Sequence, residues 1–224
     1  MERYLDKELA GLNKETLSMA VLTEEAIAKS IDALISLSVD KARQVIEEDT
    51  KINQLELFID EKCLDLIALH QPMAIDLRFI TMAMKIGTDL ERIADLAVDI
   101  SQRVMEIADK PQLKQLIDIP KLAKLAQTMV KDAIDAFINK DVKLAKDVIL
   151  RDDQADFLRN LVQTELICDY MLKDGTTITR GVALILVARH LERICDHATN
   201  IAEDVIYMVE AKVVKHRPEN LRET

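Results

Sequence analysis

Residues 89–100 read DLERIADLAVDI, and residues 190–207 read HLERICDHATNIAEDVIY. Around the first stretch, Ile86, Leu90, Ile93, Ala97, Ile100, Val104 and Ile107 step alternately by four and three. That period places all seven on one stripe of a helix. Around the second, Leu191, Ile194, Ala198, Ile201, Val205 and Met208 lay down the same stripe. Seams of this kind pack against other helices at a shallow angle, so the spacing predicts an all-α bundle.

The duplication extends beyond these two helices. Ala42, Val45, Ile46, Asp49 and Ile52 match Ala145, Val148, Ile149, Asp152 and Ala155 at an offset of 103. Leu90, Glu91, Arg92, Ile93 and Asp95 match Leu191, Glu192, Arg193, Ile194 and Asp196 at an offset of 101. The difference of two falls in the turn between the matched helices, LHQPMAID in one half and LKDGTTIT in the other. Breaks near 36–40, 70–72, 109–120, 139–141 and 173–177 leave six helical segments. The expectation is two tandem three-helix bundles, residues 1–110 and 111–224.

Composition agrees. Of 224 residues, 49% are apolar, 3% aromatic, and only four are glycine and four proline, which suits long helices and leaves little for strands. A net charge of −10 and no basic stripe argue against nucleic acid. The longest apolar run, GVALILVA at 181–188, is far short of the roughly 20 residues of a membrane span. With no apolar leader at the N-terminus, a cytoplasmic location is expected. Cys63, Cys168 and Cys195 lack C-x-x-C spacing and are expected to be reduced core residues.

Each half also carries acids four residues apart on two different helices: Asp49 with Asn53 and Glu91 with Asp95, then Asp152 with Asp156 and Glu192 with Asp196. Asp99 extends one stripe, and Asn200 stands at the equivalent place in the other. Carboxylates at this spacing share a helix face and repel, and a cation between them reverses the sign. Charged residues beside an apolar seam commonly form only a wet face. Asp49 and Asp152, however, fall within seams, between Val45 and Ile52 and between Val148 and Ala155, where an unpaired charge is costly. Oxygen-only donors suit hard cations such as magnesium, calcium, manganese or iron. His190 and His197 share a face and are expected at the surface or beside the site, while Arg92 and Arg193 are expected to bridge to neighbouring helices.

DLERIADLAVDI, ARHLERICDHATNIAEDVIYMVEAKVVKH and the turn LHQPMAIDLR resemble the motifs of the PhoU family of phosphate-signalling proteins, across essentially the whole chain. The resemblance implies a homodimer that binds multinuclear metal clusters, most often iron, with zinc, nickel, magnesium, calcium or manganese as other occupants. It implies that Glu91, Asp95, Asp99, Glu192, Asp196 and Asn200 are ligands on one helix of each half. Asp49, Asn53, Asp152 and Asp156 would then face them. It further implies a non-catalytic negative regulator linking the ATPase component of a phosphate ABC transporter to a membrane sensor histidine kinase. The family's IGD step reads IAD at Ala94 and ICD at Cys195, and Asn53 stands where an acid is usual. The alternatives are a metal-dependent phosphohydrolase and a carboxylate-bridged dimetal enzyme. Against the second, none of His70, His190, His197 and His216 follows an acid by three residues, the pattern such enzymes use.

Overall fold

The computed structural model describes residues 4–215. Helices α1 (Tyr4–Ser36), α2 (Val39–His70) and α3 (Ala74–Ile107) form the first half. In the second, α4 (Asp118–Asn139) and α7 (Ile178–Glu210) correspond to α1 and α3, and α5 (Val142–Leu150) with α6 (Asp152–Glu165) corresponds to α2. No strand occurs among the described residues.

The short turns are set by local chemistry. Leu37, Gln71 and Lys140 take left-handed backbone angles just after helices, which ends each one. Ser38 and Asp141 then cap the next: the Ser38 hydroxyl accepts from the Lys41 N–H, and Asp141 accepts from the N–H groups of Lys143 and Leu144. Sequence period alone predicts one unbroken fifth helix. Instead Arg151 interrupts it between α5 and α6, and α6 ends in a π-helical turn, Leu166–Met171. That turn carries Met171 onto α7 at Gly181, where an added Cβ would lie 2.8 Å from the Met171 sulfur.

The halves have no separate cores. Leu90, Ile93, Ile100, Leu191, Ile194 and Ile201 are fully buried within one continuous apolar cluster that takes in all seven α-helices of the described residues. The connection spanning 108–117 joins the halves along the chain, but the main contact between them is α3 against α7. Phe79 of α3 stacks on Phe137 of α4, ring centres 5.5 Å apart. The same interface carries polar ties: Lys85 Nζ lies 2.9 Å from the buried Asp204, His197 Nδ1 lies 2.8 Å from Asp89, and Arg78 donates to the Met208 carbonyl. Cys63 and Cys195 are buried as expected and Cys168 is exposed, because the π turn rotates it outward.

Candidate functional site

In each half, the α2-type helix lies along the α3-type helix and sets two rows of polar side chains against each other. The first groove joins Asp49, Asn53, Glu56 and Asp60 of α2 to Glu91 and Asp95 of α3. The spacing of four, three and four keeps the α2 row on one face. Asn53 donates from Nδ2 to Asp49 at 2.8 Å, yet Asp49 Oδ1, Asn53 Oδ1 and Asp60 Oδ1 are buried with no hydrogen-bond partner. Burial raises the carboxyl pKa values of Asp49, Glu56, Asp60 and Glu91 above the ordinary range. Asp95 raises Asp49 and Glu91 further by repulsion. Thus the facing helices do bring the seam acid Asp49 toward Glu91 and Asp95, which sequence spacing suggested but could not fix.

The second groove is built from equivalent positions with different charges. Asp152 and Asp156 of α6 meet Glu192 and Asp196 of α7, and burial followed by Asp196 raises the pKa values of Asp152 and Glu192. Asp196 is likewise raised, first by burial and then by Asp156. Here Arg159 stands where the first half has Glu56. Its Nη2 reaches Asp156 at 2.7 Å and Glu192 at 3.2 Å, so a fixed cation already sits among the acids.

Asp99 and Asn200 turn away from these groups, toward the junction of the halves. Asp99 lies 3.7 Å from His190 of α7, and the Asn200 amide donates to Asp89 of α3 at 3.5 Å. The histidines therefore serve the α3–α7 contact. Burial lowers the His190 pKa, with Asp99 opposing. Arg92 does not bridge to another helix: it pairs with Glu91 and Asp95 of its own, at 3.4 and 3.3 Å, because its long stem folds back along the helix. Glu56, Asp60 and Arg159 escaped the sequence reading, although the offset of 103 that pairs Asp49 with Asp152 also pairs Glu56 with Arg159.

The donor chemistry of both grooves fits a hard cation: oxygen atoms only, crowded like charges, and unpartnered oxygens in the first. Among the described residues, no three Asp, Glu, His or Cys side chains converge closely enough to hold an ion as they stand, so closure on a cation requires side-chain rotation. No helix among the described residues is long and apolar enough to cross a membrane.

Comparison with known proteins covers both halves. The PhoU domain model matches twice, at residues 16–104 and 119–205. The phosphate-specific transport system accessory protein PhoU homolog of Aquifex aeolicus is 42% identical over 95% of this chain and 96% of its own. The crystal structure of PhoU from Pseudomonas aeruginosa superposes with a TM-score of 0.89 at 36% identity, covering 92% of this chain and 99% of that one. The phosphate transport system regulatory protein PhoU from Streptococcus pneumoniae gives 0.85 at 30% identity, over 94% and 99%. With both repeats matched by the family model and relatives aligned along almost the full length, this chain belongs to the PhoU family.

Proposed function

We propose that this chain is a cytoplasmic, non-catalytic regulator of phosphate uptake and phosphate-starvation signalling. It acts as a homodimeric adaptor between the ATPase component of a phosphate ABC transporter and a membrane sensor histidine kinase, restraining both when phosphate is plentiful. The observation that carries this reading is the near full-length similarity to relatives named as accessory and regulatory proteins of phosphate transport. An adaptor changes its partners only through differential affinity for their states, so its function requires surface and rigidity and no reacting group.

The two carboxylate groups, one in each half (1–110 and 111–224), bind hard cations, with iron the leading occupant. Asp49, Asn53, Glu91 and Asp95 hold one, and Asp152, Asp156, Glu192 and Asp196 the other. Asp99 and Asn200, which face the opposite half, complete the sets only by turning back. A bound cation supplies positive charge that relieves the repulsion and fixes α2 to α3 and α6 to α7. Elemental analysis of protein purified without chelator, compared with the Glu91→Ala/Glu192→Ala variant, tests the metal. Co-purification of both proteins with the ATPase and the kinase tests the adaptor role. Several equivalents of metal lost in the variant support the ligand assignment, and no capture of either partner by the native protein refutes the adaptor.

The second reading is a metal-dependent phosphohydrolase, favoured by paired carboxylates able to hold two cations that activate water. A phosphatase activity unaffected by the same double substitution removes it.

A further inference from the structure

The two grooves share their acids and differ in their bases, and the difference has a chemical sense. In the second, Arg159, Arg189 and Arg193 line an open cleft of about 500 Å³ together with Glu192, Asp196 and Ile185. Arg189 and Arg193 are exposed in this lining, and Arg193 lies near enough to Asp196 to oppose the rise in its carboxyl pKa. Arg159 has a buried Nε with no acceptor. In the first half the same positions hold Glu56, Thr88 and Arg92, and Arg92 is already paired with Glu91 and Asp95.

We propose that the α6–α7 cleft binds a phosphate group, held by Arg189, Arg193 and Arg159, beside a divalent cation on Asp152, Asp156, Glu192 and Asp196. The proposal rests on the cation reading above. Guanidinium groups offer planar forks of N–H donors that match phosphate oxygens two at a time. Charge then decides which groove can accept the anion and when. In the second, three arginines face Asp152, Asp153, Asp156, Glu192 and Asp196, two net negative charges that repel phosphate until a divalent cation cancels them. In the first, Arg92 stands against Asp49, Glu56, Asp60, Glu91 and Asp95, four net negatives that one divalent cation leaves still negative. Cation and phosphate therefore bind the second groove cooperatively, and the first takes cations alone.

The test is equilibrium dialysis of the full chain against labelled inorganic phosphate, with and without manganese, and in parallel against adenosine monophosphate. Bound manganese is first measured by its magnetic resonance in phosphate-free samples. Native protein is expected to retain phosphate with manganese and at least about tenfold less without it. The Arg189→Thr/Arg193→Ala variant should keep its manganese, which also reports that it is folded, and lose about tenfold in phosphate affinity. Retention of the nucleotide in place of free phosphate, with the same dependence on manganese and the arginines, assigns the cleft to a phosphate ester. Manganese bound but neither phosphate nor nucleotide retained, or retention undiminished in the variant or without manganese, overturns the phosphate site alone. Failure to bind manganese at all overturns the cation reading and this proposal with it.

Discussion

Arg151 Nη1 lies 2.6 Å from Asp132 Oδ2, rebuilding with reversed charge the pair that Lys29 and Glu48 make at 2.6 Å in the first half. The offset of 103 equates Lys29 with Asp132 and Glu48 with Arg151, so each half ties its first helix to its second at the same level. The second pair is the more enclosed, with side chains 25% and 20% exposed against 35% and 34%. Arg151 also reaches back to Asp147.

Exchanging the signs tests that tie. Arg151→Glu is expected to destabilise the chain by about 2 kcal/mol, since it sets three acids together in a part-buried place. Adding Asp132→Lys should recover about half, because Asp147 still faces the new glutamate. Urea denaturation of both variants and of Asp132→Lys alone closes the cycle, and a double variant that loses the sum of the two single losses would show that the pair is not coupled.

Ile194 is fully buried in the α3–α7 seam. Ile194→Asp is expected to cost about 4 kcal/mol or more by placing an unpaired charge in the shared core. Because the two halves have one core, melting followed by circular dichroism should show both failing together.

Acidity should affect stability through the grooves. Asp49 and Glu91 have carboxyl pKa values above their ordinary 3.8 and 4.5, with burial the largest cause. Folding thus raises their affinity for protons, so the folded chain holds more protons than the unfolded one above that ordinary range. By linkage, their contribution is greatest below it and is lost as pH rises through the raised values. Cation-free protein should therefore lose more in melting temperature from pH 4 to pH 7 than the Asp49→Asn/Glu91→Gln variant does. Added manganese should restore the native protein at pH 7 and leave the variant's melting temperature less changed.

Arg159 competes with any cation for Asp156 and Glu192. Arg159→Gln is expected to strengthen manganese binding in the second groove about fivefold, or ~1 kcal/mol. Calorimetric titration that finds weaker binding would show that Arg159 supports the site instead.

The six helical segments and their duplication were legible in the sequence because burial imposes its period directly on the residues, as at Leu90 and Leu191, whereas the break at Arg151 that splits the fifth segment was not. The pairing of Asp49 with Glu91 and Asp95 was legible as a tendency, through a carboxylate placed inside an apolar stripe. What period could not reveal was the azimuth of each polar row once two helices meet. Asp99 continues the Glu91–Asp95 spacing yet faces His190, since the α3–α7 contact, and not the local helix, decides which half it meets. Likewise, one sequence offset equates Glu56 with Arg159, but only the packing of α6 on α7 turns that difference into a cation among four acids. Local periodicity determines which face of a helix is buried, and only tertiary packing decides which charges from separate helices come within reach of one another.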